Sequence, residues 1–175
     1  MQLGLLWLNP MDTIIHAPQV NQLQRILRDT YLRLQIEHDT PAILSVEYVQ
    51  EVLIVPAVQV TSMPNMPSYV LGLLNRRNRI LWVIDLAQML NLKTFTADTK
   101  QYNLAIIRVG QIPLGVVVYA VKGVTQFAPE SLQSVQGLVI SALAHYLHGC
   151  ILQQQEILLV LKAEAIVHSL AMHKV

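Results

Sequence analysis

Most of the chain consists of short apolar segments of strand length, separated by turn-forming residues. The clearest strand pattern follows Thr30, where Leu32, Leu34 and Ile36 alternate with polar side chains. Such a two-residue period places the apolar side chains on one face of a half-buried strand. Further segments rich in Val, Ile and Leu predict strands or strand pairs at 42–55, 69–74, 80–84, 104–109, 114–119, 121–127, 146–152 and 157–161. Many short strands, with turns about every 8–12 residues, indicate a mainly β protein built as a barrel or a sandwich.

A few segments depart from the strand pattern and predict short helices. Apolar residues recur at helical spacing over 19–30, which predicts an amphipathic helix in an N-terminal extension, residues 1–30. Asp85 is placed to cap a helix over 86–92, because its carboxylate can accept hydrogen bonds from free amides at a helix start. A last helix is predicted from about 163 to 172. No internal repeat is visible, which excludes a solenoid.

The chain is poor in charge for its size. Of its 175 residues, 53% are hydrophobic and 13% are charged, whereas a typical soluble domain has roughly 25% charged residues. Twelve basic and eleven acidic side chains leave a formal net charge of +1. The high hydrophobic content excludes disorder, and so small a charge argues against binding to nucleic acid or anionic lipid. We expect one compact domain whose surface is partly covered by a partner.

Targeting and redox features predict a cytoplasmic protein. Cys150 is the single cysteine, so no disulfide can form within these residues, as is usual in a reducing cytosol. The apolar residues 1–8 have neither the basic region nor the small-residue cleavage site of a signal peptide. The longest uncharged stretch, 131–155, is interrupted by glycines, glutamines and histidines, whereas a spanning helix needs about 20 predominantly apolar residues. No direct membrane insertion is predicted.

No catalytic or cofactor-binding motif stands out. The sequence has no Gly-x-x-x-x-Gly-Lys, no Gly-x-Ser-x-Gly and no Gly-x-Gly-x-x-Gly. His145, His148 and Cys150 lie close in sequence, which leaves open a metal-dependent enzyme or a cysteine nucleophile. A closed zinc site needs four ligands, however, and no matching second pair is visible. The simpler interpretation treats Cys150 as a small buried side chain, and no catalytic residue, metal or cofactor is predicted.

Glu51 is an unusual carboxylate within an apolar strand. Glu47 is the only other charged residue over 40–75. An unpaired buried charge costs several kcal/mol, so Glu51 either faces water or has a cationic partner. The nearest basic residues downstream are the three arginines of the polar turn 76–79, and the planar guanidinium suits a carboxylate well. The sequence therefore predicts an ion pair between Glu51 and Arg77.

Six short motifs follow one another in a defined order along the chain. They are SVEYVQEV at 45–52, MPNMP at 63–67, VLGLLNRRN at 70–78, ILWVIDL at 80–86, GVVVYAV at 115–121 and YLHG at 146–149. In this order they resemble the CheW-like chemotaxis coupling proteins, whose first four stretches read roughly I-x-x-V-x-E-V, V-P-x-x-P, G-x-x-N-L-R-G and P-V-x-D-L. The resemblance covers about residues 31–170, and the ordered set is more specific than any single motif.

The resemblance implies two intertwined five-stranded β-barrels around a common core, with short helices. We therefore expect a CheW-like domain over 31–172, with a first barrel from about 31–92 plus a returning C-terminal strand and a second from about 102–162. The resemblance also implies a non-catalytic adaptor. Such adaptors couple the cytoplasmic tip of a methyl-accepting chemoreceptor to the regulatory domain of a CheA-type histidine kinase, through strand edges and an apolar groove.

The resemblance also marks six candidate partner-binding residues. Glu51 matches the strand glutamate of the family and Arg77 the arginine of N-L-R-G, and the family places these two close together on the partner-binding side. The six matched positions are Val49, Glu51, Gly72, Asn75, Arg77 and Asp85. Local backbone structure can also explain two of these residues. A positive φ or a close approach of the backbone would require Gly72, and the start of a helix would favour Asp85 as its cap.

Four positions depart from the family pattern. Asn78 replaces a glycine, and asparagine tolerates the positive φ expected there. Trp82, Tyr119 and Lys162 replace a proline, an aspartate and an acidic residue, so the second barrel is expected to present a different partner surface. The high apolar content also leaves a second function open, a small-molecule-binding β-barrel with an internal cavity of several hundred cubic ångströms.

Overall fold

The computed structural model of the chain describes residues 29–93, 99–135, 137, 139 and 141–172. The helix predicted over 19–30 and nearly all of the N-terminal extension lie outside the described residues. No helix within the described ranges combines the length and the apolar character that crossing a bilayer requires.

Strands dominate the described residues, and the helices are short. The strands are β1 (Thr30–Glu37), β2 (Thr40–Ser45), β3 (Val49–Pro56), β4 (Val60–Thr61), β5 (Val70–Arg76), β6 (Arg79–Asp85), β7 (Gln101–Val109), β8 (Ile112–Val118), β9 (Ala120–Gln126), β10 (Leu147–Gln153) and β11 (Glu156–Leu161). The helices are α1 (Leu86–Met89), α2 (Ser141–Ala144) and α3 (Ala163–Ala171), with single 3-10 turns at Val46–Tyr48, Ala57–Gln59 and Pro129–Ser131. The predicted mainly β fold class is confirmed, and so is the last helix.

The strands form two sheets, and each sheet takes strands from both halves of the chain. The five-stranded sheet has the order β10-β11-β2-β1-β9, and the six-stranded sheet has the order β3-β7-β8-β6-β5-β4. Most neighbours are antiparallel, but β11 pairs with β2 and β6 with β8 in parallel. The segment 42–55 forms two strands rather than one, since the turn Val46–Tyr48 carries the chain from the first sheet into the second.

The six-stranded sheet curls until its two edges approach each other. β3 and β4 lie at opposite ends of the strand order, yet only the three residues Ala57–Gln59 connect them. The four Cα steps of this connection reach at most about 15 Å, whereas the five strand spacings of a flat sheet would cover about 24 Å. The sheet must therefore bend around its inner face. Closure into barrels of five strands, with the limits 31–92 and 102–162, stays a prediction.

The central strands of the curled sheet are buried on both faces, which explains their nearly continuous apolar sequences, whereas the outer face of the end strand β3 is exposed. The inner face forms a small core of Val55, Leu74, Leu81, Val83, Leu104, Ile106 and Val117. The outer face, with Ile84, Ile107 and Val116, packs against the five-stranded sheet and the helices α1 and α3 in the main core. The alternation predicted along β1 is confirmed, because its three apolar members are all buried in the main core.

Asp85 is fully buried at the end of β6 and caps α1, as predicted. Its Oδ1 accepts a hydrogen bond from the backbone N–H of Gln88 at 3.1 Å. The helix is shorter than the predicted 86–92, because Asn91 takes a positive φ of 57°. The backbone N–H groups of Asn91 and Leu92 then donate to the carbonyls of Gln88 and Ala87. This pattern is a Schellman motif, in which asparagine replaces the usual glycine and ends the helix.

Gly72 lies where no side chain fits. It has a φ of +145° and sits in a bulge of β5 opposite Val83. A Cβ atom at this position would lie 2.1 Å from the backbone oxygen of Thr61 on β4. Both local reasons that the sequence offered for a glycine therefore apply, and β4 can pair with β5 only because this side chain is missing.

We expect Gly72→Ala to lower the free energy of unfolding by about 2–4 kcal/mol, because β4 must move away from β5 and the backbone is strained. Gly110→Ala is a matched control, since Gly110 also has a positive φ but no atom lies within 4 Å of the added Cβ. Urea unfolding followed by circular dichroism measures both variants. An equal loss at the two positions would contradict the steric explanation.

A side-chain hydrogen bond ties the turn Val46–Tyr48 to α3. The hydroxyl of Tyr48 donates to Glu164 Oε1 at 2.5 Å, and Glu164 Oε2 lies 3.9 Å from His148 Nε2. Burial opposes ionisation of Glu164. The hydrogen bonds from Tyr48 and from its own backbone, together with nearby His148 and Lys162, outweigh burial and lower the pKa of the Glu164 carboxyl below its ordinary value.

Glu164→Gln is expected to lower the free energy of unfolding near neutral pH by about 0.5–1 kcal/mol. A carboxyl whose pKa is lowered by folding stabilises the protein above its unfolded-state pKa, and the stabilisation disappears as the pH falls through the folded-state pKa. The stability difference between wild type and Glu164→Gln should therefore shrink on acidification. Urea unfolding at several pH values tests this, with exposed Glu130→Gln as control. A difference that is the same at neutral and acid pH would sink the explanation.

Candidate partner-binding site

A two-residue turn closes the β5–β6 hairpin and brings three arginines together. Arg77 and Asn78 have φ values of 50° and 62°, and Arg76 pairs with Arg79 across the hairpin. Two successive positive φ values are typical of a type I′ turn, which fits the twist of a tight hairpin. The positive φ predicted for Asn78 is confirmed. The positive φ of Arg77 follows from the same turn geometry.

Glu51 lies on the inner face of β3, at the mouth of the small core. Its neighbours at two-residue spacing, Leu53 and Val55, belong to that core, whereas Gln50 and Val52 are exposed on the other face. The alternation of the strand therefore directs the carboxylate toward the mouth of the curled sheet, where its side chain is 25% exposed. Such a position calls for a cationic partner.

Two arginines share one oxygen atom of Glu51. Glu51 Oε1 accepts hydrogen bonds from Arg76 Nη2 at 2.5 Å and from Arg77 Nη2 at 3.3 Å. The ion pair predicted between Glu51 and Arg77 is thus present, but Arg76 is the nearer partner. Three strands separate β3 from β5 in the sheet order, so these side chains meet only because the sheet curls.

The shared hydrogen bonds stabilise the charged forms of both partners. The hydrogen bond from Arg76 lowers the pKa of the Glu51 carboxyl below its ordinary value, against an opposing effect of desolvation. The charges of Arg76 and Arg77 act in the same direction as the hydrogen bond. In return, the hydrogen bond to Glu51 raises the pKa of the Arg76 guanidinium. The pair therefore stays ionised at neutral pH and persists into the acid range where an ordinary glutamate begins to protonate.

A groove of about 410 Å³ opens beside this ion pair. It is lined by Gln50, Glu51, Arg76, Arg77, Arg79, Leu81, Ile106 and Pro113. Leu81 and Ile106 belong to the small core, so the floor of the groove is apolar. The arginines and Glu51 form its charged wall. A groove with an apolar floor and a charged wall can bind a molecule that combines apolar and charged groups.

The structure brings together only some of the six candidate residues. Glu51 and Arg77 are in contact, and exposed Asn75 lies on the same hairpin, paired with Ile80. Val49 is half-buried at the start of β3 and pairs with Ile107. Gly72 and Asp85 lie farther along the strands, since β6 alone separates Asp85 from the turn by about 20 Å. These last two shape the backbone rather than the groove.

Arg76 and Arg79 line the groove but are not among the six candidate residues. Both stand at two-residue spacing from side chains of the small core, Arg76 from Leu74 and Arg79 from Leu81. The alternation along β5 and β6 is the signal that places them on the inner face, at the end of the hairpin. The alternation alone does not show which strand lies opposite Arg76 and Arg79 in the curled sheet.

The residues proposed as alternative metal ligands do not converge. Cys150 is buried, and His145 packs edge-on against the ring of Tyr146 with ring centroids 5.1 Å apart. His148 instead approaches Glu164. Within the ranges that the structure describes, no group of three or more His, Cys, Asp or Glu side chains is arranged to hold a metal ion.

The other described grooves do not resemble an enclosed ligand cavity. One, of about 410 Å³, lies along α3 between Tyr69, Lys162 and His168. Another, of about 230 Å³, lies beside Pro41 and Ile157. Both are open to solvent, and aliphatic side chains occupy the two cores beneath. This arrangement gives no support to the small-molecule-binding interpretation.

Comparisons with known proteins agree on one family. The family model of the CheW-like domain matches residues 30–171. The chemotaxis protein CheW of Treponema pallidum (strain Nichols) is 27% identical over 124 residues, which cover 69% of this chain and 73% of that protein. A probable chemotaxis protein CheW of Rhizobium etli is 27% identical over 107 residues, which cover 61% of this chain and 68% of that protein.

A solved structure has the same fold. The crystal structure of the scaffolding protein TtCheW from Thermoanaerobacter tengcongensis superposes with a TM-score of 0.67 at 19% sequence identity, and covers 77% of this chain and 89% of that one. The match of the family model extends from β1 to α3 and includes every residue of the groove. The chain therefore belongs to the CheW-like domain family.

Proposed function

We propose that the chain is a cytoplasmic adaptor that couples a chemoreceptor-type sensor to a CheA-type histidine kinase in a chemotaxis or taxis-like two-component pathway. The observation that carries this proposal is the match of the CheW-like domain over 30–171. The two relatives are named as chemotaxis proteins, and the matched structure as a scaffolding protein. CheW-like proteins are non-catalytic scaffolds, so the chain is not an enzyme.

The exposed surface of β3 supports a role in protein binding. β3 is the end strand of the six-stranded sheet, and the outward side chains of Val52 and Ile54 are 43% and 61% exposed. Exposed apolar side chains on the outer face of a strand favour contact with another protein. Glu51 lies on the same strand but on its inner face, so β3 presents the charged groove on one face and this apolar surface on the other.

The six candidate residues have different proposed roles. Glu51, Arg77 and Asn75 would contact the receptor or the kinase at the groove and its hairpin. Val49 would contribute at the start of β3. Gly72 and Asp85 would act indirectly, by keeping β4 against β5 and by fixing the end of β6. The support for these roles is the charged groove and the match of each position to the family pattern.

The first test is complex formation. We expect the wild-type chain to co-elute in size-exclusion chromatography with the regulatory domain of the CheA-type kinase from the same organism, or with a cytoplasmic fragment of a chemoreceptor. The two partners are tested separately and together, and an unrelated β protein of similar size is the control. Wild-type protein that binds neither partner overturns the proposed function.

The second test concerns Arg77. Arg77→Glu should weaken partner binding about tenfold or more in Kd, because it removes an exposed guanidinium and places a second carboxylate beside Glu51. Lys122→Glu, an exposed charge reversal on β9 in the other sheet, is the matched control. Isothermal titration calorimetry gives both affinities, and circular dichroism checks that both variants fold. Equal affinities for the two variants would remove Arg77 from the partner surface.

A further inference from the structure

We propose that the groove beside Glu51 binds an acidic segment of the partner protein, with a carboxylate held by Arg77 and Arg79. This inference rests on the proposed adaptor function and adds to it the chemistry that the groove recognises. The groove carries an excess of positive charge that the chain's own residues do not neutralise.

The groove has more cations than anions. Arg76, Arg77 and Arg79 line it, and Glu51 is the single carboxylate among its lining residues, so two positive charges are in excess. Glu51 Oε1 already accepts hydrogen bonds from both Arg76 and Arg77. Over the described ranges, Arg79 makes no ion pair and no side-chain hydrogen bond. The excess is therefore located at Arg77 and Arg79.

The three arginines differ in how firmly they are held. Arg76 is 39% exposed, forms the short hydrogen bond to Glu51, and has a buried Nε atom without an acceptor among the described residues. Arg77 is 76% exposed, and its hydrogen bond to the shared Glu51 carboxylate is longer, at 3.3 Å. Arg76 therefore acts as a positioning residue that neutralises Glu51, which leaves Arg77 and the exposed Arg79 able to engage a second carboxylate.

The backbone places Arg77 and Arg79 two residues apart at the end of one hairpin. Arg77 occupies the first position of the type I′ turn, and Arg79 begins β6 two residues later. Both line the same groove. The planar guanidinium donates two parallel hydrogen bonds to a carboxylate, so a pair of them forms a directional site for an aspartate or glutamate side chain.

The floor of the groove favours a protein segment over a small free anion. Half-buried Pro113 offers apolar surface next to the arginines, and the nearly buried Leu81 and Ile106 complete the apolar lining. This surface can pack against the aliphatic part of a glutamate or against an apolar neighbour in the partner. The lining contains neither a glycine-rich loop nor a helix N-terminus, the elements that commonly hold a phosphate through backbone N–H groups. Charge complementarity with an apolar contact beside it is characteristic of protein recognition.

Zero-length carbodiimide cross-linking of the complex tests the proposal directly. The substitution Arg79→Lys keeps the positive charge and introduces an amine, and no carboxylate of the described residues forms an ion pair at this position. We expect this amine to become joined to an Asp or Glu of the partner, which mass spectrometry identifies. The native amine of Lys122 in the other sheet reports the background within the same sample.

Affinity measurements give an independent readout. Arg77→Gln and Arg79→Gln should each raise the Kd of the complex about three- to tenfold, and each should flatten its dependence on salt concentration. Lys122→Gln removes one exposed charge outside the groove and is expected to change neither quantity. Substitution of the cross-linked partner carboxylate by its amide should then have little further effect in the Arg79→Gln background.

A peptide pair separates the failure of this inference from the failure of the adaptor function. A short capped peptide of alternating Leu and Glu should shift the NMR amide signals of Leu81 and Ile106, whereas the same peptide with Gln in place of Glu should not. If the complex forms, but position 79 gives no cross-link above background and both Gln variants bind like Lys122→Gln, this inference is overturned. If no partner binds, the proposed adaptor function is overturned. Identical NMR responses to the two peptides would overturn the proposal that the groove binds a carboxylate.

Discussion

The curl of the six-stranded sheet is the constraint on which the rest of the structure depends. It encloses a small core on the inner face and leaves the outer face to pack on the second sheet, so one layer of strands contributes to two cores. It also brings β3 opposite β5, although three strands separate them in hydrogen-bonding order. Glu51 and Arg76 meet across this gap. Their ion pair is thus a consequence of the sheet's curvature, and it stabilises the mouth of the curl in return.

The features predicted correctly from sequence are those that depend on neighbouring residues. The alternation in β1, the cap formed by Asp85 and the positive φ of Asn78 each reflect chemistry within a few positions of the chain. The helix α1 is shorter than the sequence predicts, because the apolar pattern continues past the point where Asn91 takes a left-handed conformation. Asparagine is a weaker stop signal than glycine, and the pattern alone did not show which signal would prevail.

The candidate site was predicted only in part, because it is assembled from distant strands. The sequence indicates that Glu51 needs a cationic partner from the turn. Arg76 is the nearer partner because the curvature of the sheet directs its side chain toward Glu51. The family pattern has a leucine where this chain has Arg76, so resemblance could not supply that residue. Gly72 and Asp85 illustrate the converse. They match the family at positions where the backbone, rather than a partner, requires their chemistry.

The interleaved order of the strands has a consequence for how the chain acquires its fold. β2 lies between β1 and β11, and its parallel register joins Ala42 to Leu159. During synthesis the N-terminal hairpin therefore waits for more than half of the chain before its second neighbour exists. Such distant pairings slow folding and leave strand edges exposed in the meantime. The edge of β2 that β11 finally covers is thus the one most in need of protection on the nascent chain.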